Sequence, residues 1–400
     1  METDKRLAQR IDRLSESKTL KMARLSRELK DQGVDIISLS LGEPDFNTPA
    51  PIATAAKKAI DDGFTHYPPV AGYADLRQAI AAKYERQLNR PFSENQVLVS
   101  TGAKHSLANI IMALIDFDDE VLIPAPYWVT YPEQVAMAGG KVNTISACVD
   151  QDFKITAAQL EEALTEKTRM FIFSSPSNPT GSVYSEAELA ALADVFRKYP
   201  NCIIISDEIY ELINFSGAHH SLAAFAEFSD RLVIVNGVSK GYAMTGWRIG
   251  YIVGPDWIVK ACEKLQGQFT SGANSIAMKA SKAALEMPND SVEKMVAEFK
   301  KRRDFLMGEL SKDSRLKMNC PDGAFYLFID ISAFFNTSDG DKTITNAEDL
   351  IMYLLDNAHV SMVEGGAFGS PECLRISYAA GMDQLEEAAK RMLNTLSQLK

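Results

Sequence analysis

Between about residues 50 and 255 the chain alternates two kinds of segment. Helical stretches such as PIATAAKKAIDD, TAAQLEEAL and SEAELAALADVFRKY are separated by short runs that are apolar on both faces: NQVLVST, DEVLIPAP, RMFIFSS, NCIIISDE, RLVIVNG and RIGYIVG. A strand with no polar face must be covered on both sides, and strand-helix alternation supplies the cover. The pattern therefore predicts an α/β fold with a mostly parallel sheet between helices. Ser185 and Glu188, at capping-box spacing, mark where the third of these helices begins. In such sheets ligands bind beyond the carboxyl ends of the strands. The residues that follow the runs, TGAKHS, YWVTYP, PSNPTG, DEIY and GVSKG, are expected to converge on one rim.

Beyond about residue 290 the pattern changes to a long charged helix, SVEKMVAEFKKRRDFLMGEL, then GAFYLFIDIS, then TNAEDLIMYLLDNA with Thr345 and Glu348 as another capping box, then ECLRISYA and a closing helix. This predicts a separate α+β segment. The first 33 residues carry an apolar residue every three or four positions, which predicts an amphipathic helix packed with that segment. Four hundred residues exceed what one core ordinarily organises. The expected division is a large domain at 45–290 and a small one built from 1–44 and 291–400. NTSDGDKT at 336–343 is expected to be an exposed loop.

A formal net charge of -11 opposes nonspecific binding to nucleic acid or to an anionic membrane. No stretch is apolar for long enough to cross a bilayer, and the start lacks a signal peptide's apolar centre. The five cysteines are scattered, odd in number and never arranged as Cys-x-x-Cys, which predicts a reducing cytoplasm without a disulfide framework or zinc knuckle. His219 and His220 are adjacent and the other histidines isolated, so no metal is expected. GxGxxG and GxxxxGK are both missing, so dinucleotide and P-loop readings lack their signatures.

GVSKG, at residues 237–241, matches the pattern of a hydrolase's nucleophile elbow. That elbow needs a helix after the serine, whereas KGYAMTGWRIGYIVG is glycine-rich and ends in another strand. The only downstream histidine, His359, lies in a helix-to-strand connection. The neighbouring lysine is the stronger candidate. Lys240 at a strand end, flanked by small residues, is placed to form a Schiff base once its amine is partly deprotonated. Eight positions on, Arg248 sits in an otherwise apolar strand and needs an anion, for which phosphate is the natural choice. Asp207 ends the run CIIIS, where it faces the rim or simply caps a helix; Tyr210 is one helical turn further. Asn178 lies in the proline-bounded turn PSNPTG, with a cis bond a natural feature there. Trp128 offers either a stacking face or core packing. Gly102, Ala103 and Lys104 lead into a helix expected to begin at His105, whose first N–H groups suit a phosphate.

The set LGEPDF, HYPPVAGYADLR, PYWVTYP, SPSNPTG, SDEIYE, SKGYAMTGWRIGY and LRISYA, running in order from residue 17 to 380, resembles the class I aminotransferases of fold type I, and within them the bacterial aspartate aminotransferase subgroup. The resemblance implies pyridoxal phosphate as cofactor, with Lys240 as the Schiff-base lysine, Asp207 beside the pyridine nitrogen, and Tyr210 and Asn178 as donors to the ring oxygen. It implies that Trp128 stacks on the ring, and that Gly102, Ala103 and Lys104 (by backbone), Ser239 and Arg248 hold the phosphate. It further implies a homodimer with shared sites, Tyr67 reaching the phosphate of the other subunit. Arg375 would grip the substrate α-carboxylate, helped by the Gly42 backbone.

The substrates implied are an amino acid and a 2-oxo acid. Other family members take an arginine from the neighbouring subunit for the side-chain carboxylate; this subgroup instead uses a lysine in the TGAK position, here Lys104, assisted by Ser17 and Thr19. Aspartate with 2-oxoglutarate in a ping-pong exchange is the expected reaction, and an ordinary solvated Lys104 is the alternative that would undo that choice. Gly237 stands where many members carry a phosphate-binding serine, which predicts fewer phosphate contacts. Aromatic, prephenate and alanine transamination, a carbon-sulfur lyase and a noncatalytic regulator are the rival readings; the first 30 residues are too short and too mixed in charge for a DNA-binding segment.

Overall fold

The computed structural model describes residues 6–400. A short strand, β1 (Ile37–Ser38), precedes seven that form one sheet: β2 (Val97–Ser100), β3 (Glu120–Ala125), β4 (Lys141–Ser146), β5 (Thr168–Ser174), β6 (Ile203–Asp207), β7 (Leu232–Gly237) and β8 (Gly250–Val253). Their order is β2-β8-β7-β6-β5-β3-β4, parallel throughout except for β8, which runs antiparallel to both neighbours. Successive residues of a strand point to opposite faces, so the fully apolar runs feed two cores. One lies between the sheet and helices such as Ala74–Leu88 and Glu186–Phe196; the other lies under Ala103–Leu114 and Asp256–Phe269. The edge strand β4 was not among the expected runs, because KVNTIS is mostly exposed and carries little apolar signal.

The later strands are β9 (Lys317–Met318), β10 (Tyr326–Asp330), β11 (Val360–Ser361), β12 (Val363–Glu364) and β13 (Cys373–Ser377). An antiparallel sheet of order β12-β13-β10-β9 and the parallel pair β1-β11 bring both chain ends together. Their shared core runs from Met22 and Leu39 to Phe299, Leu350 and Leu396, and takes in Tyr210 and Ile213 from the larger sheet's rim.

Several local expectations need correction. The N-terminal segment is a 3-10 turn, Gln9–Arg13, and then a helix, Lys18–Asp31, interrupted at Leu14 to Ser17; residues 1–5 lie outside the described residues. The second capping box does not form: Asn346, one residue on, caps Ala347–Ala358 by accepting from the Asp349 N–H at 2.9 Å, while Thr345 bonds the Asp349 carboxylate. The box at Ser185 and Glu188 is formed as expected. Among the described residues no helix is long and apolar enough to cross a membrane.

Candidate active site

The carboxyl ends of β5, β6 and β7 meet the N-terminus of helix Ala103–Leu114 around a cavity of about 300 Å³ that is also lined by Thr19 and Arg375 from the chain's two ends. After β7 the chain makes consecutive turns and no helix, so GVSKG is a strand-end turn and not a nucleophile elbow. A side chain at Gly237 would meet the Ile249 carbonyl at 2.8 Å, which is the packing reason for glycine there. Ser239 is buried and lines the cavity.

Lys240 points its Nζ at the Gly42 carbonyl, 2.7 Å away. Burial lowers its pKa to about 8, with Glu43 opposing that shift and Arg248 and Arg375 adding to it. An amine with a pKa near 8 is still mostly protonated at physiological pH, but its neutral fraction of roughly a tenth to a fifth is far above that of an exposed lysine. The neutral form is the one that acts as nucleophile or base.

Asp207 ends β6 and is followed by turns, so it does not cap a helix, and Tyr210 is reached through those turns and not through a helical turn. The carboxylate is 3% exposed; burial raises its pKa to about 6 against the pull of the Tyr131 hydroxyl, which donates at 2.7 Å, and of the Ile209 N–H. A buried carboxylate in that state is stabilised by a cation or N–H donor brought into the cavity. Tyr210 bonds hydroxyl to hydroxyl with Tyr326 at 2.7 Å.

Helix Ala103–Leu114 starts two residues earlier than expected, so Ala103 and Lys104 sit in its first turn and Gly102 is its N-cap with φ 84°. A side chain at Gly102 would overlap the Arg248 guanidinium, so glycine leaves the space that brings a cation to the helix N-terminus. Arg248 follows a 3-10 turn, Thr245–Trp247, in left-handed conformation (φ 58°) instead of lying in the strand. Its guanidinium donates to the Thr245 carbonyl at 2.9 Å.

Arg375, on β13, is 2% exposed. It donates to Asn178 Oδ1 at 2.9 Å and to the Ser40 carbonyl at 2.6 Å, while its Nε is buried without a partner. No described carboxylate neutralises it, and an unpaired buried guanidinium calls for an anion. Asn178 follows the cis bond Ser175–Pro176, and Ala125–Pro126 is also cis. Trp128 lines the cavity, with Lys104 Nζ 5.1 Å from its ring centre. Thr19 lines the same cavity; Ser17 bonds it at 2.8 Å but lines the neighbouring groove, which Lys104 also borders. Tyr67 is 97% exposed and is not brought to this cavity by its own chain.

Outside the cavity, Glu208, Glu211 and His219 offer ligand atoms within 4.8 Å of one another. Lys83 already pairs with Glu211 and His219 with Glu208, so both carboxylates have cationic or N–H partners.

The family model for class I and II aminotransferases matches residues 34–392. The chain belongs to that family. Among relatives of this aminotransferase, the bifunctional aspartate aminotransferase and glutamate/aspartate-prephenate aminotransferase of Petunia hybrida is 44% identical over all of this chain and 85% of its own. The aspartate aminotransferase of Bacillus subtilis is 42% identical over 97% of this chain and 98% of its own. The crystal structure of the Rhizobium meliloti aspartate aminotransferase superposes with a TM-score of 0.95 at 38% identity, covering 98% of this chain and 99% of that one. The fold is thus the fold type I architecture, and the enzyme is an aminotransferase that works with pyridoxal phosphate on amino and oxo acids.

The cavity fits that cofactor on its own evidence. It offers a cation and a helix N-terminus for the phosphate, a buried carboxylate without an ion-pair partner among the described residues for the ring nitrogen, and a lysine whose pKa burial has lowered. Two aminotransferase residues escaped the sequence reading. Tyr131, the second tyrosine of PYWVTYP, holds Asp207, and Tyr326, the tyrosine of GAFYLFID, holds Tyr210. Their motifs were legible, but their partners lie 76 and 116 residues away in sequence.

Proposed function

We propose that this aminotransferase moves the amino group of L-aspartate to 2-oxoglutarate, giving oxaloacetate and L-glutamate, in a ping-pong exchange where the first oxo acid leaves before the second substrate binds. The observation that carries the dicarboxylate choice is a cation of the cavity beyond those given to the cofactor and the α-carboxylate: Lys104 and Thr19 line it together with Arg375. Arg375 binds the α-carboxylate through its unpartnered Nε, with Asn178 and the Ser40 carbonyl fixing its plane. Lys104 meets the side-chain carboxylate, and Thr19, steadied by Ser17, assists.

When bound, pyridoxal phosphate supplies an electron sink for the charge left as the α-proton departs. Asp207 serves its ring nitrogen, Tyr210 and Asn178 its ring oxygen, Trp128 its face, and Gly102, Ala103, Lys104 (by backbone), Ser239 and Arg248 its phosphate. Lys240 Nζ takes the α-proton as base and returns it as acid, a role supported by its depressed pKa. The Gly42 carbonyl, which accepts from Lys240, keeps the amine on the substrate side.

This reading divides the chain at 45–290 and 1–44 with 291–400, supported by the separate core of the two chain ends. It includes a homodimer in which Tyr67 of a second copy completes the phosphate site, supported by the near-total exposure of that ring. The five free cysteines support a reducing cytoplasm.

Transamination of prephenate is the second reading, favoured by relatives such as the Petunia protein and the Nitrosomonas europaea aspartate/prephenate aminotransferase, 44% identical over 98% of this chain. Turnover of aspartate, prephenate and alanine decides between them, and release of pyruvate without an amino acceptor would instead mark a carbon-sulfur lyase. Lys104 is exposed at the cavity's margin, but its Nζ stands over the Trp128 ring and is desolvated enough to lower its pKa, so it is not an ordinary solvated lysine. Lys104→Ala is expected to reduce the preference for aspartate over alanine by roughly 10-fold, the lower end of the range of a charge-assisted contact. An unchanged preference in steady-state kinetics would remove Lys104 from the side-chain subsite.

A further inference from the structure

Tyr326 joins the two halves of the site. It begins β10, is wholly buried, and places its hydroxyl 2.7 Å from that of Tyr210. The same hydroxyl lies against Gly42, where any side chain would overlap it, and Gly42 in turn receives Lys240. The ring itself backs Arg375, whose guanidinium carbon stands over it 4.6 Å from its centre.

A phenol has one proton to donate and two lone pairs. If Tyr210 gives its proton to an oxygen in the cavity, its own oxygen is left to accept, and the hydroxyl within reach is that of Tyr326. A donor that is itself receiving a hydrogen bond donates more strongly. Burial holds both phenols above their ordinary pKa, so both keep a proton to give near neutrality.

We propose that Tyr326 is a positioning residue that strengthens the Tyr210 phenol as a donor through its hydroxyl and seats the Arg375 guanidinium through its ring. This rests on the reading of Tyr210 as donor to the ring oxygen of bound pyridoxal phosphate. The two functions separate by substitution. Tyr326→Phe removes the hydroxyl and keeps the ring; Tyr326→Leu removes both.

The test is the pH midpoint of the visible absorption change of the holoenzyme, read beside its affinity for succinate as an unreactive dicarboxylate. Tyr210 favours the form with a negative ring oxygen, so a weaker donor moves the midpoint up. Tyr326→Phe is expected to raise it by about half to one pH unit. Tyr210→Phe should raise it further, and adding Tyr326→Phe to that variant should add nothing. Succinate affinity should hold in Tyr326→Phe and fall by about 2- to 30-fold in Tyr326→Leu, as for a lost cation-π contact. A wild-type titration that Tyr326→Phe leaves in place, or an equal shift in the Tyr210→Phe background, overturns the assignment alone. A wild-type holoenzyme without any such titration, or one that Tyr210→Phe does not alter, overturns the reading of Tyr210 and the assignment together. Equal loss of succinate affinity in Tyr326→Phe and Tyr326→Leu overturns the role of the ring.

Discussion

Lys240→Ala is expected to lower kcat for transamination by at least about 10⁴-fold, the upper end of what one acid-base group contributes, because the same amine also serves as nucleophile. No other described amine has its placement: Lys240 Nζ is seated on the Gly42 carbonyl, and burial has brought its pKa down to about 8. Lys104, the other lysine of the cavity, is at its exposed margin, over the Trp128 ring. The fold should survive, since the substitution removes a buried ammonium and one hydrogen bond. The measurement pairs steady-state turnover with borohydride reduction of the wild-type holoenzyme, which should fix the label on Lys240. Turnover of the variant within tenfold of wild type, or a label on another lysine, would sink the assignment.

Asp207→Asn is expected to have opposite effects on activity and on stability. Breaking a buried ion pair costs about 3–5 kcal/mol, so turnover should fall by about 150- to 5000-fold if Asp207 pairs with a protonated ring nitrogen. The cofactor-free chain should become more stable at pH 7 to 8. The folded pKa of Asp207, about 6, lies above the ordinary 3.8 because of burial. The folded state therefore binds more protons than the unfolded state between those values. The benefit is complete below about pH 3.8, is lost as pH rises through about 6, and above that the buried charge costs about 3 kcal/mol. Asparagine carries no such charge and can still accept from Tyr131. Its amide NH2 then replaces the oxygen that accepts from the Ile209 N–H at 3.2 Å, a loss of about 1 kcal/mol that is smaller than the charge cost removed. Thermal melts of the two cofactor-free proteins should differ by several degrees at pH 8 and converge near pH 4; a variant that melts lower at pH 8 would contradict the burial account.

Much of this site was legible before folding. The six runs became strands, and the segments following β5, β6 and β7 meet at one cavity because a parallel sheet places its carboxyl ends on one edge. What misled the local reading has a physical cause in each case. KVNTIS forms an edge strand whose exposed face needs no apolar residues. Helix Ala103–Leu114 begins early because Gly102, with positive φ, turns the chain directly into it. Arg248 left the strand because its backbone is left-handed there, which swings the guanidinium toward Gly102.

The sequence by itself determined the layered α/β fold, since strand periodicity is a local property of the chain, and its short motifs pointed to the lysine, the carboxylate and the two arginines through the family they resemble. Only the tertiary structure decided how these groups act. Asn178 orients Arg375 across 197 residues, and Tyr326 bonds Tyr210 across 116. A hydrogen bond requires its atoms within about 3 Å and aligned. Distances of that kind between remote residues exist only once the core of the chain ends has packed beside the cores of the large sheet.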